Sequence, residues 1–235
     1  MAILHQWAED ENYHVRRLVS EGTRPRLPWA ARLPEFIQAP SPVMALLEKL
    51  KDDPELYVRR SVANNLNDIG KDHPKLLANT AKRWLKGASQ ERQWLVKHAL
   101  RSAIKRGEKG ALDALGYGAP VDVDIKDINI MPAQAQVGGN IHIAFKVKNV
   151  AKETVNLMVD VAIHFIKANG ASSAKVFKLK AVALAPNETQ VFSKKISLKP
   201  MTTRTLYSGE HKVDVILNGQ NKILGSFALS DSKYR

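Results

Sequence analysis

DENYHVRRLVSEG, residues 10–22, aligns without a gap on DPELYVRRSVANN, residues 53–65, at a shift of 43. The match sets Val15 on Val58, Arg16 and Arg17 on Arg59 and Arg60, Val19 on Val62 and Glu21 on Asn64. A weaker third copy, ERQWLVKHALR from Glu91, follows at a shift of 37 from the second. Apolar residues three and four apart in each copy trace one face of a helix. The first copy lies within WAEDENYHVRRLVSEG, Trp7 to Gly22, which reads as a single helix with Val15, Leu18 and Val19 on its apolar side. Arg16, Arg17 and Glu21 share that helix, and the glutamate is either a solvated surface charge or a group that faces a partner.

Helical spacing continues through Pro42 to Asp52, Pro54 to Ile69, Pro74 to Leu85 and Glu91 to Arg106, with proline or a small polar residue near most starts. Two helices per unit of about 40 residues predict a HEAT-like solenoid, in which stacked hairpins share one core and expose an extended face. From Val121 the period changes to two. VDVDIKDINI, NIHIAFKVKNV, TVNLMVDVAIHFIKA, AKVFKLKAVAL, TQVFSKKISLK, EHKVDVILNG and KILGSFAL are separated by Gly, Asn and Pro turns, which predicts a two-sheet antiparallel sandwich of immunoglobulin-like size or a barrel. GYGAP, Gly116 to Pro120, suits neither element, so the expected domains are a repeat region over 1–117 and a sandwich over 121–235.

Both regions are basic. Lys and Arg number 20 against 14 acids through residue 119 and 16 against 9 beyond it, within a formal net charge of +13. Such charge either serves a polyanionic partner, because cations near phosphates release condensed counterions, or belongs to a soluble protein that happens to be basic. There is no cysteine, which excludes disulfides, thiolate nucleophiles and cysteine-held zinc. No apolar run is long enough to span a bilayer and the opening residues do not read as a signal peptide, so a cytoplasmic protein without membrane association is expected. The seven histidines form neither an HExxH nor a cysteine-assisted cluster, and neither a metal nor an organic cofactor is expected.

Residues three or four apart on a helix share a side, so Arg17 lies with Glu21, Arg60 with Asn64 and Asp68, and Lys97 with Arg101. Val15, Val19, Val58, Val62, Leu66 and Ile69 form the packed side, and stacking aligns the polar sets into a ridge. Such a ridge is either a solvated face or ladder of ion pairs, or a working surface. Asn64, Asn65 and Asn67 favour the second, since asparagine lowers helix propensity and a purely structural helix has little reason to collect it. After the first repeat, TRPRLPWAARLP carries prolines on either side of Arg26 and Leu27, and Pro28 precedes Trp29 at an expected helix start. This stiff loop places Arg24, Arg26 and Trp29 beside the ridge. Trp29 then either closes the hairpin core or stacks on a cationic base or other π face.

WAEDENYHVRRLVSEGTRPRLPWA followed by YVRRSVANNLNDIGKDHP resembles the AlkC group of bacterial alkylpurine DNA glycosylases, relatives of AlkD, one branch of which carries a C-terminal immunoglobulin-like domain. The resemblance implies excision of cationic alkylated bases, chiefly 3-methyladenine, from double-stranded DNA gripped by its backbone, without flipping the base into a deep pocket. It implies that Glu21 and Asp68 are the acids at the lesion, that Trp29 packs on the damaged nucleotide, and that Arg17 contacts the backbone or orients a carboxylate. The basic sandwich would embrace the duplex from the other side. Arg17, Arg24, Arg26, Arg60, Asn64, Lys97 and Arg101, with Lys146 and Lys148 of the sandwich, are the expected backbone contacts. Lys146 with Lys148, and Lys178 with Lys180, are spaced by two, so each pair is expected on one sheet face.

The chemistry suits these residue types. A cationic base is already a good leaving group, and a carboxylate can stabilise the oxocarbenium-like sugar while polarising a water for attack at C1′. Nearby arginines and lysines offset the repulsion between carboxylates and phosphate. Family enzymes carry further HEAT-like repeats before this point, so the first repeat is expected to expose a flank that a second copy of the chain could cover. The alternative function is a noncatalytic module that binds DNA or protein through the same basic faces. A purely structural repeat protein leaves the asparagines and the Arg-Pro-Arg loop unexplained.

Overall fold

The computed structural model describes residues 1–201 and 205–231. It divides into two compact units, Met1–Gly118 and Ala119–Arg235. The first contains helices α1 (Ala2–Trp7), α2 (Tyr13–Gly22), α3 (Pro34–Gln38), α4 (Ser41–Leu50), α5 (Leu56–Asp72), α6 (Pro74–Leu85), α7 (Gln90–Lys105) and α8 (Lys109–Ala114). Helices α2, α5 and α7 pack in sequence as one row, backed by α4, α6 and α8. The three sequence repeats form that row. Val19, Val58, Val62, Leu66, Ile69, Leu95 and Leu100 are buried between the rows with Leu46, Leu77 and Trp84. At about 25 cal/mol per Å² of apolar area, this burial is what stabilises helices whose polar faces add little. Gly70 lets α5 approach α6, since a Cβ there would lie 2.3 Å from Leu77 Cδ2.

Trp7 to Gly22 is two helices, not one. The Asn12 side chain accepts the His14 amide at 2.9 Å, while Asp10 accepts the Asn12 amide at 2.8 Å. This cap starts α2 and separates it from α1. Leu18, expected on the apolar side, is 51% exposed. Neighbouring repeats are strutted by forked ion pairs: Arg16 grips Asp53 at 2.6 and 3.1 Å, and Arg92 grips Asp52 at 2.6 Å through both nitrogens.

Among the described residues the second unit has eight strands in two sheets. Strands β1 (Val123–Met131), β3 (Asn140–Asn149) and β6 (Thr189–Ser197) form one, in the order β1-β3-β6. The other is ordered β2-β8-β7-β4-β5, from β2 (Gln134–Gln136), β4 (Val155–Ile166), β5 (Ser172–Leu184), β7 (Gly209–Leu217) and β8 (Gln220–Ser230). Alternate residues of both sheets, among them Phe145, Val161, Phe192, Val215 and Phe227, fill one core. The expected antiparallel pattern holds except for β2, an unexpected three-residue strand that runs parallel to β8.

Lys146 and Lys148 alternate with buried Phe145 and Val147 and so share the outer face of β3. The other lysine pair is split, against expectation. Lys178 pairs with Asp160 and Lys180 with Val159, so the bulge at Leu179 puts them on opposite faces. Lys180 reaches inward, its ammonium 5.7 Å from the centre of the Phe192 ring.

Candidate active site

The ridge along α2, α5 and α7 brings Glu21 and Asp68 to a single arginine. Arg24, in the loop after α2, donates through Nη1 to Glu21 Oε1 at 2.8 Å and through Nε to Asp68 Oδ2 at 2.8 Å. Its Nη2 lies 2.8 Å from the same Asp68 oxygen. Lys71 donates to Asp68 Oδ1 at 2.8 Å, so cations occupy both oxygens of a side chain only 2% exposed. Glu21 is 18% exposed, and its Oε2 accepts from the Ser61 hydroxyl at 2.8 Å. Ser20 packs its hydroxyl on that of Ser61 at 2.8 Å. Arg17 approaches Glu21 Oε2 at 3.6 Å with its guanidinium 4.4 Å from the Tyr57 ring centre, a cation–π contact that fixes its direction. Glu21 is thus the more accessible of two carboxylates held at fixed orientation.

Arg24 was expected on the DNA backbone and is instead buried between these carboxylates, because three polar contacts satisfy its fork inside the protein. Arg26 is likewise committed: its Nε and Nη2 hold the two oxygens of Asp72 at 2.8 and 2.6 Å. No helix begins at Trp29. Residues 23–33 form a loop, and α3 starts at Pro34. Trp29 is 106% exposed with a left-handed backbone, φ 61°, which rules out the core-closing role.

Farther along the ridge, Asn64 Oδ1 accepts from Arg101 Nη2 at 3.0 Å and lies 3.2 Å from His98 Nε2. Arg101 Nη1 donates to the His98 carbonyl at 2.6 Å. Trp94 stacks on His98 with ring centres 5.1 Å apart. Burial, then the positive charges of Arg101 and Arg60, push the His98 imidazole below its ordinary value, which keeps it neutral near pH 7. Burial also lowers the Arg101 guanidinium, with Asp68 opposing that shift and Arg24 adding to it. Arg60 and Lys97 are exposed and make no ion pair among the described residues. The structure therefore gathers Arg17, Glu21, Arg24, Arg60, Asn64, Asp68, Lys97 and Arg101 on the helical unit. Lys146 and Lys148 belong to the other unit, and Lys146 is paired with Asp127 at 2.7 Å.

The asparagines have a structural account that sequence reasoning denied them. Asn65 is buried and donates to the Ser20 carbonyl at 2.8 Å and to Thr23 Oγ1 at 3.0 Å, tying α5 to α2. Asn67, also buried, accepts the Ser102 amide of α7 at 3.4 Å. Ser61, Tyr57, His98 and Asp72 were missed. Tyr57, Ser61 and His98 carried a signal, as residues within the repeated segments. Among the described residues no group of three histidine, aspartate or glutamate side chains is placed to hold a metal ion, and no helix is long and apolar enough to cross a membrane.

Residues 124–231 match the family model described as "Uncharacterised protein YhaZ, C-terminal Ig-like domain". The whole chain is similar to "Uncharacterized protein YhaZ" of Bacillus subtilis (strain 168), 42% identical over 222 residues, which are 94% of this chain and 61% of that protein. Among solved structures it is similar to Pseudomonas fluorescens alkylpurine DNA glycosylase AlkC bound to DNA containing an abasic site analog. The identity there is 42% and the TM-score 0.92, over 97% of this chain and 64% of the other. The chain thus spans about three fifths of the length of either relative.

Proposed function

We propose, from its similarity to AlkC and YhaZ in sequence and fold, that this chain is a DNA glycosylase for cationic alkylated purines, chiefly 3-methyladenine, acting on double-stranded DNA in the cytoplasm. The observation that carries the reading is Glu21: a partly open carboxylate, oriented by Arg24 and Ser61, on a basic ridge whose adjoining loop presents a fully exposed Trp29. When the N-glycosidic bond breaks, its electron pair leaves with the base and neutralises the base's charge. Positive charge then develops on the sugar, and the Glu21 carboxylate stabilises it. A water attacks C1′ and gives up its proton to Glu21, leaving an abasic sugar. No general acid is needed to expel a base that is already cationic.

Asp68 has a different task from Glu21. With both oxygens occupied it acts through Arg24, whose bridge fixes the Glu21 carboxylate. Arg17, Arg60, Lys97 and Arg101 are the phosphate contacts of this reading, with Asn64 holding Arg101 in place and Lys146 and Lys148 adding affinity from the sandwich. The deciding experiment is release of free base from methylated duplex DNA by the purified chain and its Glu21→Gln variant. Release of 3-methyladenine by the parent, reduced at least about a hundredfold in the variant, is the expected result. Equal release by both would remove Glu21 from the mechanism. Salt-sensitive DNA binding without release by the parent would instead make the chain a binding module.

A further inference from the structure

An indole in full contact with water, on a residue whose backbone is in the left-handed region, is doubly unfavourable. Its placement needs an anchor, and the loop supplies one. Arg24 and Arg26 flank the buried Pro25, and their forks engage Asp68 and Asp72, which lie one helical turn apart on α5. The Leu33 amide returns to the Pro25 carbonyl at 3.2 Å, and the Ala30 amide bonds the Leu27 carbonyl at 3.3 Å, closing the loop around its tip. Trp29 thus stands three residues beyond a forked ion pair whose side chains are 25% and 22% exposed.

We propose that Arg26 and Asp72 are positioning residues: their forked pair fastens the loop to α5 so that the Trp29 indole is held out toward DNA, and Arg26 itself touches no phosphate. The proposal rests on the reading of the chain as a DNA-processing protein and adds to it a reason for two arginines that basic composition alone would assign to the DNA backbone. Exposed aromatic rings bind nucleotides by stacking, and a ring fixed in advance loses less entropy on binding than one that must be ordered. A planar fork can hold both oxygens of a carboxylate and a lysine ammonium cannot, whereas either suffices as a point charge on a phosphate. Lysine at position 26 therefore separates the two roles.

The test compares Arg26→Lys with its parent in a Trp7→Phe/Trp94→Phe background, where the buried Trp84 adds a constant signal. Two readouts are taken: time-resolved fluorescence anisotropy of Trp29 in the free protein, and affinity for a duplex containing an abasic-site analogue across a salt series. Expected are a fast anisotropy component absent from the parent, a loss of affinity of roughly tenfold, and an unchanged salt slope. Trp29→Ala should lose about as much, and combining it with Arg26→Lys should lose no more, because both remove one contact. Asp72→Asn, which leaves the arginine charge in place, should reproduce the Arg26→Lys result. Parental affinity and anisotropy in Arg26→Lys, or a salt slope reduced by about one phosphate contact in Arg26→Ala without added Trp29 motion, would overturn the proposal. Absence of DNA binding by the parent would count against the DNA reading alone, since the anisotropy still decides whether the pair holds the loop.

Discussion

Removing Arg24 should destabilise the helical unit far more than removing an ordinary surface arginine. Its guanidinium has 2.8 Å contacts with both Glu21 and Asp68, and its own side chain is 10% exposed. In Arg24→Ala, Asp68, whose side chain is 2% exposed in the parent, keeps Lys71 as its one remaining ion partner among the described residues, and that lysine side chain is itself 39% exposed. Stripping one partner from a buried pair costs about 3–5 kcal/mol, most of it the uncompensated charge left behind. At a urea dependence of about 1.5 kcal/mol per molar, the unfolding midpoint should fall by roughly 2–3 M. All four tryptophans lie in residues 7–94, so tryptophan fluorescence reports the helical unit without contribution from the sandwich. If buried charge is the cause, Arg24→Ala/Asp68→Asn should be more stable than Arg24→Ala alone, because asparagine removes the charge and still accepts from Lys71. A loss under about 1 kcal/mol in Arg24→Ala, or a double variant no better than the sum of the two singles, would refute the bridge as described.

Trp29→Gly should fold with equal or slightly greater stability, by up to about 1 kcal/mol, because glycine accepts the left-handed backbone and no packed contact is lost. Its affinity for DNA should fall, which a thermal melt and a binding titration on the same sample can show together. Arg26, through its hydrogen bond, holds the Asp72 carboxyl below the ordinary carboxylate range. A depressed folded value contributes stability above the unfolded pKa and loses it as pH falls through the folded one. The acid limb of the parent's stability curve, below about pH 4, should therefore be steeper than that of Asp72→Asn. Asp160 behaves oppositely: burial raises its carboxyl against the pull of Lys178 and the Leu179 amide. Ionisation then costs the fold stability as pH rises through that raised value, so Asp160→Asn should stabilise the sandwich near pH 7, with the gain vanishing near pH 3. Circular dichroism melts at the two pH values would decide it.

What could be read from sequence was whatever repeats with a period. Apolar residues at spacings of three and four located α4 to α7 within a few residues, and alternation located seven of eight strands, because burial imposes those periods directly. Local exceptions escaped. The break before α2 depends on one asparagine turning its side chain onto a backbone amide, and the bulge at Leu179 inserts one residue where Phe177, Lys178, Leu179 and Lys180 alternate on paper. The site divides in the same way. Glu21 and Asp68 share a ridge by helical spacing alone, but the Arg24 side chain meets Asp68 across 44 residues of sequence, and nothing in TRPRLP distinguishes an arginine bound for a phosphate from one bound for a buried aspartate. Trp29 shows the limit most plainly, since both a core tryptophan and a solvent-facing one follow proline in sequence, and only the stapled backbone separates them.

The proposed chemistry needs a carboxylate near phosphates that would repel it, and the ridge resolves this by unequal pairing. Asp68 is enclosed by Arg24 and Lys71 and contributes little field outward. Glu21 is constrained by Arg24, Ser61 and the Tyr57-braced Arg17, yet keeps an opening to solvent. Arg60 and Lys97 have no carboxylate partner among the described residues, and Arg101 spends its hydrogen bonds on neutral oxygens, so positive charge remains to meet a phosphate. Salt screens those exposed cations strongly and the buried bridge weakly. Rising salt should therefore weaken duplex binding long before it disturbs the orientation of Glu21, and base release at saturating DNA should fall much less than affinity. That divergence separates a preorganised carboxylate from one that depends on bound DNA to order it.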